Sequence, residues 1–201
     1  MRWLHLVIGL WPTLALSDGH FSIVPPFLTE VRGVSSDDVL NLRKTPDHRS
    51  DKIGSLAHDA TGIEVTALSD DTRWVQVNSG ETSGWVRSRY LGQTSAAPWH
   101  SFKAGLSCFG TEPFWSARIA AHAEAISFQS MDESERGLTV NRTSGLSGRL
   151  PTDIGMGGDG VSAMISATAC NDGMSDRNYA LRIRLFLHDT AGFDGCCSLA
   201  R

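Results

Sequence analysis

Nine residues, Tyr179 to Leu187, alternate with period two more cleanly than any other stretch of this chain. Leu181, Ile183, Leu185 and Leu187 fall on one face, and Arg182, Arg184 and Phe186 on the other. A helix would scatter those aliphatics around its axis. The pattern therefore predicts a strand with one face on a core and the other toward water. The same period returns in Ala125–Ser130, briefly in Leu138–Asn141, and in Val161–Thr168. Ser116–Ile119 also reads as strand, although the alanines from Ala117 to Ala125 could form a helical turn. The glycine-rich run Gly155–Gly160 reads as a separator between strands. Residues 104–201 are thus expected to be an antiparallel β barrel or sandwich.

Four cysteines, Cys108, Cys170, Cys196 and Cys197, all lie in this half. A bridge between the adjacent Cys196 and Cys197 would strain the peptide between them and close almost no loop. Cys108 and Cys170 are therefore each expected to pair with one of the last two, the order being open. A thiol zinc site would need CxxC-type spacing, which is missing, so neither metal nor cofactor is expected. An oxidising compartment is also implied by the start of the chain. Arg2 precedes a largely apolar run, Trp3 to Leu16, and Ala15-Leu16-Ser17 offers small residues for cleavage. Residues 1–17 read as a secretory signal, an uncleaved anchor or a buried strand being the alternatives. No cysteine follows to carry a lipid. The expected location is periplasmic or secreted, and no run of about 18 apolar residues remains to span a membrane after cleavage. With 18 Lys+Arg against 22 Asp+Glu, the net charge of −4 argues against a dedicated nucleic-acid binder.

Residues 18–30, with Pro25-Pro26, read as an extended lead-in. Short strands then follow: Leu40–Arg43, Lys52–Leu56, Ile63–Leu68, Trp74–Val77 and Gly84–Val86, with Tyr90-Leu91 closing. Pro46, Gly54, Asp70-Asp71 and Gly80 punctuate them, as in a small β barrel. Residues 93–103, containing Ser95-Ala96-Ala97-Pro98, read as a linker to the cysteine-containing domain.

The order Leu-Asn-Leu-Arg, Lys-Ile-Gly-Ser-Leu, Trp-Val-Gln-Val, Gly-Trp-Val and Tyr-Leu resembles a bacterial SH3 domain of the extracellular type over residues 31–92. It departs at Lys44-Thr45-Pro46, a single loop. The resemblance implies a five- to seven-strand barrel of cell-envelope proteins that binds cell-wall glycopeptide or other proteins. The second half carries Cys108–Trp115 (CFGTEPFW), Cys170–Tyr179 (CNDGMSDRNY) and Gly195-Cys196-Cys197. Together these resemble a family of proteobacterial envelope proteins, some of them lipoproteins, which implies an address but no particular activity. A Thr-x-x-Cys strand end in a glycine-rich β domain is similar to META-type envelope domains, a hint of fold alone.

Three constellations could carry function. Trp74, Trp85 and Tyr90 could form a shallow groove for extended peptides or sugars, or could simply pack the barrel. Asn171–Arg177 could hold a ligand through Asp172, Asp176 and Arg177, with Glu112 and Trp115 from the neighbouring motif. Its structural alternative is a turn locked by Asx bonds, Gly173 and Asp176–Arg177 ion pairing. Nucleophilic catalysis has little to build on, since there is no Gly-x-Ser-x-Gly and no His-Glu-x-x-His. The expected function is non-catalytic binding, the SH3-like module engaging cell-wall peptidoglycan or an envelope protein. The alternative is a hydrolase or small-molecule-binding domain built on the Asp172–Arg177 loop with Glu112.

Overall fold

A computed structural model describes residues 24–95, 97–145, 152–189 and 192–200. The expected signal segment, 1–17, lies outside the described residues. The fold is all-β and has two parts. The first is a seven-stranded antiparallel sheet in the order β3-β2-β6-β5-β4-β1-β7. Its strands are β1 (Phe27–Val31), β2 (Val39–Arg43), β3 (Lys52–Ala57), β4 (Ile63–Leu68), β5 (Trp74–Ser79), β6 (Thr82–Arg87) and β7 (Leu91–Gln93). The second is a closed barrel, β10-β11-β12-β13-β14-β15-β8-β9. Its strands are β8 (Leu106–Thr111), β9 (Phe114–Ile119), β10 (Ala125–Ser130), β11 (Arg136–Gly145), β12 (Asp153–Gly158), β13 (Val161–Cys170), β14 (Tyr179–Leu187) and β15 (Gly192–Leu199).

In the sheet, period two sends Leu40, Leu42, Ile63, Val65, Val75, Val77 and Val86 into one small core with Phe27, Val31 and Leu91. The expected lead-in is partly structural. Residues 27–31 form β1, which pairs with β4 on one side and β7 on the other. Paired prolines stop just before it, so its backbone donors stay available to the ladder.

In the barrel, Leu181, Ile183 and Leu185 point inward and are fully buried, while Arg182, Arg184 and Phe186 are exposed. Trp115, Phe128 and Phe193 fill part of the interior, with ring centroids 4.9–6.0 Å apart. The segment expected to be a linker is anchored to this core: Trp99 and Phe102 are buried in the barrel's cluster, and Trp99–Ser101 makes a 3-10 turn.

The glycine run expected to separate strands is itself β12, paired with β11 and β13. Close approach explains its composition. A Cβ at Gly158 would land on the Thr139 carbonyl of β11. The β11 register shifts between Val140 and Arg142, beside this contact.

The adjacent cysteines serve opposite faces of β15. Cys197 pairs in register with Cys108 and is bridged to it inside the ring. Cys196 bridges to Cys170 at the end of β13, passing across β14. Both expected cross-links form, and their order is Cys108–Cys197 and Cys170–Cys196. The four cysteines are all bonded.

The two parts dock through β4, β5 and the head of β14. β4 is buried on both faces: Ile63 and Val65 face the sheet's core, while Glu64 and Thr66, each 7% exposed, lie on the opposite face. Ala180, which alternation would place toward water, is likewise buried. Polar contacts fix the register. Asn78 Nδ2 donates to the Asn178 carbonyl (2.9 Å). Asn178 N donates back to Asn78 Oδ1 (3.2 Å) and Ser83 Oγ (3.0 Å). Ser83 N donates to the Asp176 carbonyl (3.0 Å). Leu199 N donates to Glu64 Oε2 (3.0 Å).

Candidate functional site

The sheet presents a groove of about 610 Å³ beside the loop Gly33–Asp38. Trp74 and Tyr90 both line it, together with Arg43, Arg87 and Arg89. Trp74 opens β5, and most of its ring is buried. The Arg87 guanidinium, one strand over on β6 and register-paired with Trp74, lies 5.2 Å from that ring. Tyr90 ends the short 3-10 turn before β7. Arg89 lies 4.7 Å from the Tyr90 ring and its Nη2 donates to the hydroxyl at 2.8 Å. A wall of guanidinium groups on aromatic rings favours ligands that combine flat or apolar faces with negative charge. Trp85 does not line this groove. It sits on β6 opposite Gln76 and Arg43 and is half-buried.

Below the Trp74 end, the turn between β4 and β5 is held by Asp71. Its carboxyl accepts from Ser69 Oγ (2.7 Å), Arg73 N (3.0 Å) and Arg73 Nε (2.7 Å). These bonds, that from Ser69 foremost, hold its pKa down at about 2.

In the barrel, Asp172 closes its own loop. It accepts from Met174 N and Ser175 N (both 3.0 Å) and from Ser175 Oγ, with the Tyr179 hydroxyl at 3.5 Å. Burial pushes this carboxyl up, but the hydrogen bonds outweigh it and the net shift is downward. Asn171 Nδ2 reaches the carbonyls of Ser175 (3.2 Å) and Arg177 (2.8 Å), and Gly173 takes φ +72°. That is an Asx-locked turn. The ion pairing expected to help lock it is not found among the described residues. Asp176 instead gives its carbonyl to Ser83 of the sheet. Glu112 is exposed at the tip of the β8–β9 hairpin, next to Thr111, whose hydroxyl donates to the Asp172 carbonyl (2.9 Å). Trp115 lies in the barrel core, its Nε1 donating to the Asp194 carbonyl (3.3 Å). Of this set, Arg177 faces a cavity. Among the described residues, no three His, Cys, Asp or Glu side chains are grouped to hold a metal.

The two larger of the cavities where sheet and barrel meet differ in character. One, of about 860 Å³, is mainly apolar and includes Thr66, Gln76, Trp99, Ala167 and Tyr179. Burial pushes the His100 imidazole at its edge below the ordinary value of 6.5. The other, of about 300 Å³, is polar and includes Glu64, Asn78, Arg118 and Arg177. Neither is suggested by either half alone, since each takes its walls from strands far apart in sequence.

The first part is a small β module with an open, aromatic-lined groove. Residues 38–92 match the family model of the bacterial SH3 domain. The match begins at the strand entrance of β2, so β1 lies outside it. No curated protein and no solved structure matches the chain. The SH3 domain and the two disulfides fit an extracellular or periplasmic protein. Among the described residues, no helix is long and apolar enough to cross a membrane.

Proposed function

We propose that this is a non-catalytic binding protein of the cell envelope, whose SH3 groove engages cell-wall glycopeptide. The observation that carries the reading is the joint placement of Trp74 and Tyr90 with Arg43, Arg87 and Arg89 along one open groove. Sugar rings and extended peptide present apolar faces to aromatic rings, and peptide carboxylates pair with guanidinium groups. A protein partner with an acidic extended segment would use the same surface. The apolar start of the chain, read as an export signal, and the resemblance of the cysteine-containing half to envelope proteins support the same address. The barrel's part is to present the module rigidly, through the docking of β4 and β5 on β14.

The test is retention on purified cell-wall sacculi. Wild-type protein is expected in the pellet, and release should rise with salt because the guanidinium contribution is screened. Arg89→Ala should weaken retention several-fold without changing the melting temperature, and Tyr90→Ala should weaken it several-fold with some loss of stability, since its ring packs against the sheet core. Equal retention of both variants, or no retention of the wild type, overturns the reading. Trp74 is a poorer probe, since its ring is largely buried and its removal disturbs the fold.

A further inference from the structure

We infer that the polar cleft between sheet and barrel is a second binding site, one that takes a small carboxylate ligand. The cleft is assembled by register. Ser198 on β15 pairs with Ser107 on β8, and Ser107 pairs with Arg118 on β9. Their inward neighbours Cys197, Leu106 and Ile119 are buried in the core, so these three side chains form one row on the barrel's outer face. Two hydroxyls and a guanidinium thus stand side by side. Arg177, just before β14, and Tyr179 at its head close the row, and Asn78 and the buried Glu64 face it from the sheet, so the cleft carries two guanidinium groups and one carboxylate.

Neither Arg118 nor Arg177 has an ion pair among the described residues. Arg177 Nε is shielded from solvent and has no hydrogen-bond partner among the described residues. A donor in that position calls for an acceptor. The side chain is also held in place. Its guanidinium carbon lies 5.5 Å from the Tyr179 ring, whose hydroxyl is set by Asp172. A pre-placed guanidinium offers two parallel N–H groups, the geometry that fits a carboxylate. The space, about 300 Å³, has room for roughly ten water-sized groups, so a small molecule or the free end of a peptide fits and a polymer does not. The Asp172 turn thereby gains a role: it positions Tyr179, and through it Arg177, without touching the ligand.

The test uses the full chain with its disulfides intact and titration calorimetry with four probes. These are L-lactate, N-acetylglycylglycine, the C-terminal amide of that dipeptide, and inorganic phosphate. Saturable binding of lactate or the dipeptide acid is expected, the dipeptide alone pointing to a peptide end and lactate to a free metabolite. The amide should not bind, and phosphate should bind at least tenfold more weakly. Arg118→Gln and Arg177→Gln should each weaken the carboxylate at least tenfold. Arg118 sits on an exposed strand face, so its variant keeps the test valid should Arg177→Gln disturb the docking. Absence of carboxylate binding, equal binding of the amide or phosphate, or indifference to Arg118→Gln overturns the inference. The groove residues are separate from those of the cleft, so retention on sacculi and binding in the cleft can fail independently.

Discussion

The SH3-like sheet and the barrel solve the same problem with different means. The sheet closes a small aliphatic core around Val65, Val75 and Val77 with no covalent help, and leaves β3 and β7 as free edges. The barrel removes its edges by pairing β8 with β15, fills its interior with large rings, and adds two cross-links. Closure demands that first and last strands meet, here β8 and β15, and both cross-links are placed at or beside that seam. The difference teaches that the longer cross-link sits where the first and last strands of the closed ring meet, while the open sheet does without one.

The sharpest way to break the comparison is to remove the cross-links. Cys108–Cys197 spans 89 residues and Cys170–Cys196 spans 26. On the chain-entropy model their loss costs about 4.6 and about 3.5 kcal/mol, in that order. Double Cys→Ala variants should show the same ranking in urea melts, with the unfolding confined at first to the barrel. A sheet that melts together with the reduced barrel would show that the module depends on its neighbour.

Gly158→Ala should come next, at about 1–3 kcal/mol, since the new methyl group meets a backbone carbonyl that cannot move aside. Gly80→Ala, in a turn of the sheet with open space around it, is strained only through its φ of +58° and should cost less. Thermal melts of the two variants rank them directly.

Asn78→Ala removes two hydrogen bonds across the junction and should weaken docking by about 1–3 kcal/mol. Calorimetry is expected to show one transition for the wild type and two for the variant. A single surviving transition would assign the docking to the apolar contacts near Trp99 instead.

The smallest effects are electrostatic, and each part offers an example. Asp71 and Asp172 both have carboxyls lowered from the ordinary 3.8 by turn hydrogen bonds. A depressed folded-state value means that the stabilisation is complete above the unfolded value. It is lost as pH falls through the folded one. For Asp71 the loss falls between about pH 4 and about pH 2. Asp71→Asn and Asp172→Asn should each lower stability at pH 7 and flatten the acid limb of the stability profile, measured by urea melts from pH 6 down to pH 2. An unchanged acid limb in both variants would mean that other carboxylates govern it.

The sequence was most readable where one face meets a core and the other meets water. β14 and β10 were legible to the residue because alternation there is strict, and β4 was legible by the same alternation although docking buries both its faces. β12 and β15 were hidden because close backbone approach and sulfur bridging replaced aliphatic side chains with Gly and Cys. β1 was hidden behind Pro25-Pro26. Of the groove, Trp74 and Tyr90 were legible as aromatics near loop mouths, but the arginines stacked on them are ordinary surface residues until β6 places Arg87 and the following 3-10 turn places Arg89. The cleft was illegible for a stronger reason. Glu64, Asn78 and Arg118 each look like the solvent face of a strand, and only docking turns those faces toward one another.

The position of Cys196 and Cys197 has a consequence for how the molecule is made. A ribosome delivers β15 after all seven of its barrel companions. Until then Cys108 and Cys170 have no proper sulfur to meet, and the partner each can find is the other. A nascent chain halted before residue 196 in an oxidising space is therefore set up to trap itself in a wrong bridge, which the late-arriving pair must undo by exchange.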